Sequence, residues 1–330
     1  MKVAVIGVGS MGRNHARVYS EMPDVELIGV ADVFADNANT VSRHYGGESF
    51  SDYRRLLDKL QPDAVSIVVP TVEHLAVAKE VAARGISMLI EKPIAFSEEE
   101  ASEIIHMANQ AKIILSVGHI ERFNPAIASL KQRLANGDLG RVFQIDARRL
   151  GPFPARVRDV GVVIDLAVHD LDIMRYITGA EITRIFAETE RRIHSSHEDL
   201  LAGMTRMSDG TVGTLSINWL TPTKVRELFV TGERGMFRVD TLTQDLYFFE
   251  NAIATSPDWA PLTMLRGVSE GAMTRFSLTK KEPLRAELDS FIASVRGDIP
   301  IAVSGEDGLK ALQLAQAMVK SGLEKRVIEL

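Results

Sequence analysis

The chain has 330 residues, 45% of them hydrophobic and 25% charged, with a formal net charge of -6. That length and balance suit two compact domains, and an acidic chain lacks the broad Lys and Arg excess that general nucleic-acid binding needs. With no cysteine at all, disulfides, thiolate catalysis and Cys-ligated metal sites are excluded.

The chain opens on a short apolar run at residues 3–6 and a glycine turn, without the longer apolar region and cleavage site of a signal peptide. No apolar run reaches the ~18 residues of a membrane span. A cytoplasmic location with no membrane partner is expected. Further apolar runs at 27–31, 64–69, 87–90 and 113–117 alternate with amphipathic segments at 11–20, 35–44, 72–83 and 98–111. Strands buried on both faces and joined by helical crossovers make a parallel, doubly wound sheet, a Rossmann pattern.

After about residue 118 the pattern changes. A helix is expected over 125–135, a strand over 141–149 and a second helix over 163–177, with Gly179 as its C-cap. From 182 to about 250 the chain reads as strands, with turns at Ser208-Asp-Gly210 and Gly232-Glu-Arg-Gly235. The segment 255–279 is weakly patterned and expected to be a mobile loop able to cover a site. Two further helices are expected at 284–295 and 305–321. The fold class expected is α/β, with a Rossmann domain over 1–120 and an α+β domain over 121–330. That second domain is expected to be built on a large, mostly antiparallel sheet and to carry substrate binding and oligomerisation.

Gly7-Val-Gly9-Ser-Met-Gly12 follows the first strand and opens a helix. In such a G-x-G-x-x-G loop, Gly7 makes the tight turn, Gly9 admits the pyrophosphate and Gly12 lets helix pack on strand. Ser10 and Met11 lie in the loop, at the helix N-terminus that meets phosphate. Asp32 stands twenty residues past Gly12, at the end of the second strand, where a carboxylate bonds the ribose hydroxyls. It would repel a 2'-phosphate, and neither Val33 nor Phe34 is an arginine to bind one, so NAD is favoured over NADP.

Glu91-Lys92-Pro93 follows the fourth apolar run, at the ligand edge of such a sheet. Pro93 biases Lys92 toward extended backbone, so its ammonium is either fixed for chemistry or simply solvated. Asp165 and His169 stand four apart, on one helix face with Asp172 and Tyr176. A carboxylate beside an imidazole supports a general base, and a structural His-Asp pair is the plain alternative. Thr71 and His74, together with Glu91 and Lys92, are cofactor-contact candidates, although Thr71 also suits a helix cap. His119, Arg122 and Asn124 end the fifth strand and are candidates for cofactor or substrate contact. Arg148, Arg149, Arg156 and Arg158 flank Gly151-Pro-Phe-Pro154. That basic loop either binds a diphosphate or is solvated. The eight histidines are scattered, and no metal ligand set is expected.

Together these residues resemble the glucose-fructose oxidoreductase and inositol dehydrogenase family, called Gfo/Idh/MocA. The likeness covers essentially the whole chain: the glycine loop, Glu91-Lys-Pro93, the Gly161-x-x-x-Asp165-x-x-x-His169 block and the tail Ser304-Gly-Glu-Asp-Gly308. Two departures stand out. The family's Thr-Pro-Asn-x-x-His is replaced by Thr71-Val-Glu-His74, and Val162 stands where a second glycine is usual.

The resemblance implies that Lys92 and His169 are catalytic, that Asp165 supports them, and that NAD or NADP occupies the first domain. It also implies a sugar-like alcohol substrate and a homodimer or homotetramer built on the large sheet. Val117-Gly-His-Ile-Glu-Arg-Phe-Asn-Pro125 and Arg149-Leu-Gly-Pro-Phe-Pro154 look like the members that oxidise the 3-hydroxyl of UDP-N-acetylglucosamine. A PLP aminotransferase consumes their 3-keto product. The alternatives weighed are a dehydrogenase of free sugars or inositols and a non-catalytic NAD-binding redox sensor.

Overall fold

The computed structural model describes residues 1–154, 160–252 and 269–330. By contact the chain divides into two units, Met1–Ile120 with Glu282–Gln313, and Glu121–Lys281 with Leu314–Leu330. Residues 282–313, expected in the second domain, thus belong with the first. The apolar stripe of the helix Pro283–Arg296 explains it: Leu284, Leu288, Phe291 and Ile292 share one buried cluster with Val3, Val5 and Tyr19.

The first unit is a six-stranded parallel sheet in the order β3-β2-β1-β4-β5-β6. Its strands are β1 Lys2–Ile6, β2 Glu26–Ala31, β3 Glu48–Phe50, β4 Ala64–Ile67, β5 Ser87–Glu91 and β6 Leu115–Gly118. Crossover helices α1 Ser10–Ser20, α2 Ala35–Tyr45, α3 Tyr53–Leu60, α4 His74–Ala82 and α5 Glu98–Ala111 connect them. The strand β3 is an addition to the expected set. Its three residues are exposed or half-buried, too few and too polar to show as an apolar run.

The second unit is a nine-stranded sheet in the order β14-β13-β12-β11-β7-β10-β9-β8-β15. These strands are β7 Val142–Pro152, β8 Ile182–Glu190, β9 Leu200–Met207, β10 Val212–Asn218, β11 Leu220–Gly232, β12 Gly235–Asp240, β13 Asp245–Ala252, β14 Ser269–Phe276 and β15 Ile328–Glu329. Neighbours pair antiparallel except β7 with β10. The weakly patterned segment 255–279 is therefore not all loop: β14 occupies its second half, and 253–268 lie outside the described residues.

Alternation along β7 buries Ile145, Ala147 and Arg149 on one face and leaves Gln144 and Arg148 exposed on the other. On that open face one register row runs Phe186, Met204, Thr214, Asp146, Phe229, Arg238, Tyr247 and Arg275. The Arg238 guanidinium lies 6.0 Å from the Phe229 ring and 5.9 Å from the Tyr247 ring, and Arg275 lies 5.9 Å from Tyr247. Cation-π contacts thus knit the row from strand to strand.

The block carrying His169 begins as a π-helical turn, Val163–Ala167, and continues as α7, Val168–Thr178. Gly179, left-handed at φ 70, ends it as the expected C-cap. The helix α6, Pro125–Ala135, precedes β7.

Candidate active site

In the first unit the glycine loop has the steric logic of a phosphate cradle. Gly7 has φ +86, and a Cβ there would lie 2.6 Å from the Val68 carbonyl oxygen. A Cβ on Gly12 would lie 1.9 Å from the Gly7 oxygen, whereas one on Gly9 would meet nothing within 4 Å. Gly7 and Gly12 are thus required by the protein's own packing, and Gly9 by the space it leaves open.

The helix α1 that follows has Gly9 as N-cap, no side-chain cap and no acidic residue in its first turn. By contrast α5 is capped by Ser97 and carries Glu98, Glu99 and Glu100. The open N–H groups and positive dipole end of α1 suit a diphosphate. Ser10 is exposed and Met11 half-buried at this end.

Asp32 is held ready for a ribose. Its Oδ2 accepts the Val8 N–H at 2.9 Å and its Oδ1 the Phe34 N–H at 2.9 Å. A cavity of about 610 Å³ opens beside it, lined by Gly7, Gly9, Asp32, Phe34, Val69 and Pro70 among others. The exposed Val33 and Phe34 border the same carboxylate. These residues fit a dinucleotide: cradle, ribose acceptor and apolar walls lie in one unit.

The Glu91-Lys92-Pro93 turn at the end of β5 rests on buried polar contacts. Glu91 Oε1 lies 3.0 Å from His15 Nε2, and Glu91 Oε2 accepts the Lys92 N–H at 3.2 Å. His15 Nδ1 continues to Ser66 Oγ at 3.1 Å, and the Tyr19 hydroxyl reaches Ser66 at 2.8 Å. Burial alone would raise the Glu91 carboxyl pKa, but His15 and Lys92 hold it below its ordinary value.

His74, fully buried, faces the Pro93 and Ile94 carbonyls at 3.0 and 3.2 Å through Nδ1 and the Val69 carbonyl at 3.0 Å through Nε2. Its ring thereby clamps the turn, and burial pushes its pKa down. Thr71 sits in a 3-10 turn, Thr71–Glu73, and makes no cap: the N-cap of α4 is Glu73, without a side-chain bond. His119 is buried at the end of β6.

In the second unit, Glu198 fastens the start of the His169 helix. Its carbonyl accepts the Val162 N–H at 2.9 Å and its Oε1 the Val163 N–H at 3.1 Å. A Cβ on Gly161 would strike the Glu198 side chain at 2.0 Å, which explains the glycine. Asp165 lies in the π turn, half-buried, and His169 is 9% exposed on α7. Such π turns recur at functional sites.

Three residues expected as substrate contacts have partners within the protein. Arg122 makes a fork on Asp172, Nε to Oδ2 at 2.8 Å and Nη2 to Oδ1 at 2.5 Å, with its guanidinium 4.9 Å from the Tyr176 ring. Arg149 makes a similar fork on Asp170 and adds Glu121 at 2.8 Å. Asn124 caps α6 through the Ala126 N–H and donates to the Thr241 carbonyl. A guanidinium that is buried and neutralised by its own chain has few donors left for a ligand. Arg156 and Arg158 lie outside the described residues.

Sequence reading passed over Glu287, Lys224 and Arg226. Glu287 was legible in principle. It sits between Leu284 and Leu288 on the apolar stripe, where a carboxylate is out of place.

Residues 1–119 match the family model described as "Oxidoreductase family, NAD-binding Rossmann fold", and residues 127–238 match "GFO/IDH/MocA C-terminal domain". A UDP-N-acetylglucosamine 3-dehydrogenase of Acidithiobacillus ferrooxidans is 33% identical over 96% of this chain and 95% of its own. The chain belongs to the Gfo/Idh/MocA family of NAD-binding oxidoreductases. An inositol 2-dehydrogenase of Rhizobium meliloti is 27% identical over 100% of this chain and 99% of its own. Among solved structures, that of the Acidithiobacillus dehydrogenase superposes with a TM-score of 0.85 at 31% identity, covering 97% of each chain. Both Gfo/Idh/MocA halves are thus present, and the cofactor is NAD.

Proposed function

We propose that this chain oxidises the 3-hydroxyl of UDP-N-acetylglucosamine to a 3-keto sugar nucleotide, with NAD as the oxidant. The observation that carries the reading is the full-length likeness to a UDP-N-acetylglucosamine 3-dehydrogenase. Bound NAD supplies the hydride acceptor, held by the Gly7–Gly12 loop and Asp32. His169 takes the hydroxyl proton as hydride leaves the same carbon. Lys92 polarises the hydroxyl oxygen, and Asp165 holds the imidazole in position. The Glu198 anchor fixes the helix that carries both groups.

A second reading has its own support. Inositol dehydrogenases match at full length, and Arg122 and Arg149 are paired within the protein rather than displayed for a diphosphate. A neutral cyclitol needs no such donors. Under the first reading the product is a ketone suited to a PLP aminotransferase, and the open sheet face is the surface on which a homodimer or homotetramer forms.

The deciding experiment measures NADH formation with UDP-N-acetylglucosamine, N-acetylglucosamine and myo-inositol side by side, with an aminotransferase and amine donor drawing off the ketone. NADH from the nucleotide sugar alone is the expected result. NADH from myo-inositol alone overturns the first reading in favour of the second.

A further inference from the structure

Arg149 and Arg226 stand directly opposite each other across β7 and β11. Like charges in that position repel unless each is neutralised. Arg149 is neutralised, taking Asp170 and Glu121. Arg226 is not: Nη1 donates to the Leu150 and Val225 carbonyls at 2.5 and 2.8 Å, and among the described residues no carboxylate forms an ion pair with it. Burial first, then the opposing Arg149, pushes its pKa down, so its charge is held against both desolvation and repulsion.

A half-buried guanidinium with unused donors costs stability unless something else engages it. The backbone beside it carries no side chain. Residue 151 is glycine, and a Cβ there would lie 3.9 Å from both Nη1 and Nη2 of Arg226 and 3.6 Å from Cγ of Lys224. Lys224 is exposed, so two cations flank a stretch of backbone that carries no side chain. The carboxylate of Asp165, one turn before His169, is near enough to act on Arg226 electrostatically, which puts this cation pair beside the His169 helix.

We propose that Arg226, assisted by Lys224 across Gly151, is the contact for a phosphate-bearing group of the substrate. The inference rests on the nucleotide-sugar reading and assigns to these two residues the role expected of the arginines around Gly151-Pro-Phe-Pro154. With Nη1 held by the two carbonyls, the Nε and Nη2 edge of this planar guanidinium suits the paired oxygens of a phosphate.

The test titrates UDP-N-acetylglucosamine, with N-acetylglucosamine as neutral control, into the full chain carrying NADH. Wild type, Arg226→Gln and Arg226→Lys are compared by calorimetry, with melting temperature and NADH affinity measured for each. Arg226→Gln is expected to weaken the nucleotide sugar about tenfold or more, the range of hydrogen bonds to charged groups. NADH affinity stays unchanged, Arg226→Lys recovers part of the loss, and raising salt weakens the wild type most.

Unchanged affinity in Arg226→Gln, with wild type still oxidising the nucleotide sugar, overturns the inference and leaves the proposed function standing. Equal losses in the Gln and Lys variants with a lowered melting temperature assign Arg226 to the scaffold and also overturn it. A wild type that neither binds nor oxidises the nucleotide sugar removes both readings together.

Discussion

Arg149 and Asp170 lock β7 to α7 through a two-bond fork, Nε to Oδ2 at 2.7 Å and Nη2 to Oδ1 at 3.0 Å, with both residues buried. Asp170 is the neighbour of His169, so the fork also sets where the imidazole sits. Removing one member of a buried pair strands the other charge, at a cost of about 3–5 kcal/mol. Asp170→Ala is therefore expected to lower stability by about that amount in urea unfolding and to reduce turnover as well. A variant as stable as wild type would show that the pair contributes nothing net.

His169→Ala and Lys92→Ala are each expected to reduce turnover by about 100- to 10,000-fold, the range of positioned acid-base groups. NAD affinity should not change, because neither residue belongs to the glycine cradle or to the Asp32 contact. Wild-type turnover in either variant would remove that residue from the chemistry.

Asp32→Asn keeps an oxygen acceptor for only one of the two backbone N–H groups, Val8 or Phe34, that the carboxylate accepts, and removes the charge that faces a 2'-substituent. The ratio of NAD to NADP affinity, read from cofactor fluorescence, is expected to fall by about tenfold or more as like-charge repulsion disappears. An unchanged ratio would mean that discrimination lies elsewhere.

Glu287 is fully buried, and neither carboxyl oxygen has a hydrogen-bond partner among the described residues. Burial, then the charge of Glu91, pushes its pKa well above the ordinary value. A group raised in the folded state favours folding while both states are protonated. It loses that contribution as pH climbs from the unfolded value through the folded one. Relative to Glu287→Gln, the wild type should thus be progressively less stable as pH rises above the ordinary glutamate value of about 4. Urea unfolding of both proteins across that range checks it, and a pH-independent difference would contradict a raised carboxyl.

The Rossmann half was readable because its signals are local. Gly7, Gly9, Gly12 and Asp32 lie within one strand-turn-helix-strand unit, and backbone sterics over a few residues dictate glycine there. The order of apolar runs likewise determined a parallel sheet, while the short edge strand β3 escaped because it buries too little to leave a pattern.

Arginine roles were not readable, because a guanidinium is identified by its partner. Arg122 meets Asp172 fifty positions away, and Arg149 meets Asp170 twenty-one positions away. In sequence both resemble Arg226, whose charge finds no carboxylate partner among the described residues. By itself the sequence determined the family, the cofactor loop and the residues proposed for the chemistry. Only the tertiary structure decided which cations are paired with a carboxylate of the protein and which are not, since that depends on distance in space and on desolvation.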